Sequence, residues 1–198
     1  MTTVAACIVL SVLELDTVMI AQTLVSRPLV TGTLIGALTG KAQTGALFGA
    51  AFELLSLCDL PVGGCLTWSA TVAAGTATLL VSGGTSFALS FAGGVVAGIL
   101  HSRVEAFERV RRTLTGDGLA LRAEAGGRTL SRALGVSIAA HAVMTFTVAG
   151  AVVALIGFLD RRWWMSAPEF LRAGAALVSS SASWIGLSGI AAWGLRRA

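Results

Sequence analysis

Residues Ser26–Gly64 read SRPLVTGTLIGALTGKAQTGALFGAAFELLSLCDLPVGG. This stretch is apolar enough to enter a bilayer, yet it is broken where a simple spanning helix would be continuous. Arg27-Pro28 stops a helix, because the proline ring removes a backbone donor and restricts the residue before it. The segment from Leu29 to Gly40 reaches only about 18 Å as a helix, against a hydrocarbon core about 30 Å thick. It can enter a membrane but not cross it. Gly32, Gly36 and Gly40 fall four residues apart on one face, a pattern that lets another helix approach closely. Lys41, Gln43 and Thr44 form a polar tip. Ala46 to Leu57 is predicted as a second short helix, with Gly45 and Gly49 again four apart and an acid, Glu53, in its interior. Two half-length helices joined by a polar tip make a re-entrant helical hairpin over residues 28–58. Irregular backbone at that depth is tolerated only against protein or a water-filled cavity, and transporters place substrate sites at such broken helices.

The rest of the chain fits a membrane setting. Of 198 residues, 55% are hydrophobic and 12% charged, about half the charged share of an average soluble domain. The fold class expected is an all-α polytopic integral membrane protein, a helical bundle. Leu60–Leu100 and Ala133–Leu159 contain no Asp, Glu, Lys or Arg and are long enough for three spans at about 20 residues each. The net charge of +4 is not a nucleic-acid signal, since the arginines flank apolar segments, as anchoring residues do. The N-terminus lacks the basic region and cleavage pattern of a cleaved signal peptide. Cys7, Cys58 and Cys65 are unpaired in pattern and read as small buried hydrophobes.

Before the hairpin, Thr3 to Leu24 is predicted as a first helix. Glu14 and Asp16 interrupt its apolar run, and two readings stay open: both acids at headgroup level, or both facing a polar cavity. After the Leu60-Pro61-Val62-Gly63-Gly64 break, Val62 to Ser82 is long enough to span. Gly83-Gly84 turns the chain, and Thr85 to Leu100 returns. Val104, Phe107, Val110 and Leu114 then recur at helical spacing among arginines and glutamates, which predicts an amphipathic helix interrupted at Gly116-Asp117-Gly118. A second amphipathic piece runs to Arg132. Its basic excess puts this arm in the cytoplasm. Leu134 to Leu159 and Ala173 to Leu195 form a closing pair, with Trp163 and Trp164 at the interface between them and Arg196-Arg197 on the cytoplasmic side. The expected organisation is a membrane region over 1–100, a cytoplasmic amphipathic arm over 101–133 and a helical pair over 134–198.

There is no phosphate-binding glycine loop, no zinc-protease motif and no nucleophile elbow. His101 and His141 are isolated in sequence and read as packing or interface residues. We expect no catalytic residue, no metal site and no cofactor.

Ala21 to Leu80 resembles the membrane component IIC of the mannose/sorbose-type sugar phosphotransferase system. The likeness rests on the Ser-Arg-Pro-Leu-Val opening, the Gly-x-x-x-Gly run, the Gln-Thr-Gly tip, the Phe-Glu-Leu-Leu segment and the Pro-Val-Gly-Gly turn, in that order. The resemblance implies a bacterial inner-membrane permease subunit that pairs with a IID membrane component, in an oligomeric complex. A sugar would be bound within the bilayer and phosphorylated by a soluble IIB protein charged by IIA, so this chain would not carry the phosphoryl group. Sugar hydroxyls need carboxylate and amide partners, and the substrate-binding candidates are Glu53, Gln22, Ser69 and Thr71. The chain departs from the family at Gly40-Lys41, where Gly-Asp is usual, and at Trp68-Ser69-Ala70, where Pro-Asp-Ala is usual. It is also shorter than typical members. These departures motivate a second reading, a non-transporting scaffold or regulatory subunit that assembles with IID.

Overall fold

Gly40 and Ser69 set the limits of the helices around which the chain folds. Gly40 takes a left-handed conformation (φ 78°), which only glycine adopts at no steric cost. The amides of Gly40 and Lys41 close back onto the carbonyls of Ala37 and Gly36, ending one helix as a left-handed cap does. Ser69 starts another, its hydroxyl accepting a hydrogen bond from the Val72 amide at 3.2 Å, as N-capping requires.

The computed structural model describes residues 2–18, 23–57, 67–123 and 127–195. Within them the elements are α1 (Thr3–Val18), α2 (Pro28–Thr39), α3 (Ala42–Ser56), α4 (Ala70–Ser82), α5 (Phe87–Ala123), α6 (Gly127–Arg162), a single 3-10 turn (Trp164–Ser166) and α7 (Glu169–Leu195). No strand occurs among the described residues. The all-helical expectation is met.

α2 and α3 form an antiparallel pair in which backbone meets backbone. A β-carbon on Gly32 would strike the carbonyl of Gly45, and one on Gly49 would lie 2.6 Å from the carbonyl of Pro28. The four-residue glycine spacing is what allows this approach. α4 sits at the centre, packed on α1, α2, α3, α5 and α6, and every residue from Ala70 to Leu80 is buried. Its sequence of alanines, threonines and small aliphatics suits a helix enclosed on all sides. Phe48 and Phe52 of α3, both fully buried, stack on Phe87 and Phe91 of α5 with ring centroids 4.5 and 4.8 Å apart, locking the hairpin to the bundle.

Outward faces are apolar. Val4, Ile8 and Val12 on α1, Val143, Leu155 and Phe158 on α6, and Phe170, Leu177 and Trp184 on α7 are all exposed, as lipid-facing side chains of a membrane bundle are. Among the described residues, two helices are long and apolar enough to cross a membrane, Phe87–Leu114 and Ser131–Ser166.

Three sequence expectations change. α4 starts at Ala70 rather than Val62, because the Ser69 cap fixes its origin. At 13 residues it reaches about 20 Å, too short to span alone. The Pro61–Gly64 turn itself, with Cys58 and Cys65, lies outside the described residues. Second, Gly116, Asp117 and Gly118 do not interrupt the arm: α5 runs through them to Ala123. A glycine inside a helix costs only about 1 kcal/mol, which a long helix tolerates. Third, α1 ends at Val18. The next described residues turn around Asp16, whose carboxylate accepts from the amide and hydroxyl of Thr23 at 2.9 and 3.0 Å and from the hydroxyl of Ser26 at 3.2 Å. This clasp encloses Leu24, which sits at a positive φ of 68°.

Candidate functional site

Four helix ends converge at one place. The last turn of α1 brings Glu14, the start of α2 brings Ser26 and Arg27, the last turns of α3 bring Glu53, and the start of α4 brings Ser69 and Thr71. Two of these ends are helix N-termini, whose unpaired amides and dipoles favour electron-rich groups. The middle of α5 closes the junction, with Gly98 so near that its carbonyl accepts from the Ser69 amide at 3.2 Å and a β-carbon on it would lie 2.6 Å from the Ser69 carbonyl.

Glu53 is not free at this junction. Its Oε1 accepts from Arg27 Nη1 at 2.6 Å, and its Oε2 accepts from the Leu29 amide at 3.2 Å. It therefore joins the end of α3 to the start of α2, supplying an acceptor at the α2 N-terminus that no side chain of α2 provides. The Arg27 side chain is 53% exposed and that of Glu53 18%, so the pair sits at the rim. Thr71 donates to the Ser26 carbonyl at 2.6 Å, one residue from Arg27. Ser69 donates to Glu14 Oε1 at 2.9 Å. Glu53, Ser69 and Thr71 thus belong to one connected set of polar contacts, linked through Ser26–Arg27 and the first turn of α4. Gln22 lies outside the described residues.

Glu14 is the residue whose partner the sequence did not name. It is 1% exposed and takes a second contact from the Thr17 hydroxyl at 3.5 Å. The two acids of α1, left open together in sequence, separate in the structure: Glu14 turns into the interior while Asp16 organises the turn that follows. The only hint available was that Glu14 and Leu10 share a helix face, and Leu10 is fully buried.

The two histidines, isolated in sequence, come together. His101 of α5 and His141 of α6 are both fully buried, their rings edge to face with centroids 5.5 Å apart. His101 Nδ1 lies 3.8 Å from Glu14 Oε1. On α5, Glu105 pairs with Arg109 at 2.5 Å and Glu108 with Arg112 at 2.7 Å. Along α5 the polar interior therefore continues from the junction toward the arm. The apolar arm residues Phe107, Val110 and Leu114 stay exposed.

Chemically, the junction offers two carboxylates, three hydroxyls and a guanidinium in a small volume between helix ends. That set suits polyhydroxylated neutral solutes, whose hydroxyls both donate and accept. No curated protein and no solved structure matches the chain. One family model does match, described as PTS system sorbose-specific IIC component, over residues 1–160. The match runs well past Leu80, where the likeness of motifs ends, and takes in α5 and nearly all of α6. With residues 1–160 of 198 matched, the chain belongs to the sorbose-specific IIC family and is a sugar-transport membrane component of the phosphotransferase system.

Proposed function

We propose that this chain binds a sugar within the membrane and moves it across, as the IIC subunit of a complex with a IID membrane partner. The observation that carries this reading is the convergence of four helix ends, with Glu53, Ser69, Thr71 and Glu14 among them, inside a chain of the IIC family. Gln22, four residues before Ser26, is a further candidate. The α2–α3 pair acts as a re-entrant hairpin, because its helices of 12 and 15 residues reach about 18 and 22 Å and cannot cross a core of about 30 Å. The bundle over residues 1–100 and the pair over 134–198 lie in a bacterial inner membrane, with the 101–133 arm and the C-terminus cytoplasmic. There the arm meets the soluble components, and the sugar is phosphorylated by IIB charged by IIA. The chain contributes position and closure, and no phosphoryl group passes through it.

Reconstitution with the IID partner and the soluble components tests this directly. Glu53→Gln keeps the shape of the side chain but removes the charge that Arg27 and the Leu29 amide hold. Sugar uptake is expected to be abolished while insertion and assembly persist. Unchanged uptake in the variant removes Glu53 from the pocket.

Two features favour the second reading, a scaffold or regulatory subunit that assembles with IID but does not transport. Glu53 already has both oxygens engaged, and Lys41 and Ser69 stand where the family usually carries acids. Copurification with IID and no heat of sugar binding by calorimetry decides for it.

A further inference from the structure

Among the described residues, Thr76 Oγ1, Ser86 Oγ and Asp160 Oδ1 are buried polar atoms without a hydrogen-bond partner, and three further such atoms fall along one line. Nδ1 of His101 and both ring nitrogens of His141 lack a hydrogen-bond partner although both residues are fully buried. The hydroxyl of Thr145 donates to the His141 carbonyl at 3.1 Å. Its single proton is then used, so at 3.0 Å the same oxygen accepts from Nε2–H of His101. A neutral His101 in that tautomer has a bare Nδ1, and Nδ1 is the atom facing Glu14 Oε1 at 3.8 Å. Two acceptors face each other in an apolar interior, and one proton held between them, on Glu14 or on His101, resolves the conflict.

The line continues on the other side. His141 lies edge to face with His101, and its Nδ1 is 3.5 Å from Glu108 Oε2. The ionisable groups around the two rings are Glu14 from α1, Glu105, Glu108, Arg109 and Arg112 from α5, and no others from α4 or α6 among the described residues; α4 supplies Ser69 and α6 supplies Thr145. Glu105 is within electrostatic reach of both Glu14 and His141. Each arginine is already paired with a glutamate of its own helix, which leaves the carboxylate of Glu14 to be balanced by the imidazoles. Burial also decides what can travel here. At 0–1% exposure of Glu14, His101 and His141, neither a sugar nor a hydrated ion fits, while a proton needs no room. Ionisable residues inside a membrane are costly and mark relays when they line up, and imidazole can take a proton at one nitrogen and release one from the other.

We propose that Glu14, His101, His141 and Glu108 form a proton path linking the helix-end junction at Ser69 to the base of the α5–α6 arm. A proton leaves the Glu14 carboxyl for Nδ1 of His101. A ring rotation frees Nε2–H from Thr145, and that proton passes to Nε2 of His141. Nδ1–H of His141 then passes to the Glu108 carboxylate. Each imidazole gains one proton and loses one, so a single pass leaves Nδ1–H on His101 and Nε2–H on His141, and both rings must return to the starting tautomer before the next proton moves. The path gives this subunit a proton-transfer activity besides sugar handling, and it ends at the same Ser69 hydroxyl that meets the proposed pocket.

The full chain in liposomes carrying an internal pH dye, under a potassium diffusion potential set with valinomycin, reads the activity, with the proton itself as the probe. Dye acidification above that of empty liposomes is expected. His101→Gln or His141→Gln lowers the rate by about tenfold or more, while Thr147→Val, on the exposed face of α6, leaves it unchanged. Flux no greater than in empty liposomes, or wild-type flux in both histidine variants, overturns the proposal. A second measurement needs no variant to fold. The chain has two histidines, so isotope-labelled histidine in lipid nanodiscs gives NMR signals from this pair alone. The proposal requires their titrations to be coupled in the wild-type chain, and two independent titrations overturn it.

Discussion

The α2–α3 hairpin and the α5–α6 pair are both antiparallel helix pairs, held together in opposite ways. In the hairpin the contact surface is glycine on backbone, and its one acid, Glu53, sits at the rim with Arg27 as a full counter-charge. In α5–α6 the contact surface includes two histidines and a threonine, fully buried, and two acids reach them: Glu108 of α5, paired with Arg112, lies 3.5 Å from His141, and Glu14, from another helix, lies 3.8 Å from His101. A pair of the first kind supplies rigid, close placement of its ends. A pair of the second kind buries ionisable groups side by side, the setting of the proton path proposed above. The two meet across the first turn of α4, where Thr71 binds the Ser26 carbonyl beside the start of α2, while the Ser69 amide binds α5 and its hydroxyl binds Glu14.

The sharpest way to break the hairpin side of this contrast is Gly45→Val. A β-carbon there strikes the Gly32 carbonyl, and backbone cannot move aside as a side chain can. Overpacking costs typically up to about 3 kcal/mol, and this site is expected at the upper end, seen as a large drop in unfolding temperature in detergent. A near-wild-type temperature means that the glycine contact does not hold the pair.

Ser69→Ala tests the meeting point. It removes the α4 cap and the hydrogen bond to Glu14 together, an expected loss of about 2 kcal/mol from the two contributions. Ser69→Thr retains both groups and restores most of it. If alanine and threonine variants melt alike, the hydroxyl has no part in joining the two regions.

Arg27→Ala is the mildest. The pair is half exposed on the arginine side, so solvent screening limits its loss to about 1 kcal/mol or less. A larger loss in denaturant unfolding makes the rim pair a core element and narrows the contrast with α5–α6.

The hairpin was legible because proline and glycine punctuate the chain locally. Residues 28–58 were expected, and α2 and α3 occupy 28–39 and 42–56 within them. The candidate site was legible only in pieces. Glu53, Ser69 and Thr71 were named from a pattern, but their partners were not. Arg27 is 26 residues from Glu53, Ser26 is 45 from Thr71, and Glu14 is 55 from Ser69. The Val62 start of α4 failed for a related reason. Hydropathy runs on through Thr67-Trp68-Ser69, while the helix begins where a serine hydroxyl meets an amide and the Ser69 backbone meets Gly98.

By itself the sequence determined the helical class, the membrane setting and the two short helices of the hairpin, because composition and proline or glycine placement act over a few residues at a time, and the order of its motifs gave the resemblance that the family match bears out. Tertiary structure alone decided that Glu14 points inward while Asp16 does not, that Glu53 is already bound to Arg27, and that two scattered histidines face each other beside a carboxylate. In an apolar interior a polar side chain takes whichever partner the packing of helices brings within about 3 Å, and that packing is settled by the glycine and aromatic contacts of α2, α3, α4 and α5 acting together.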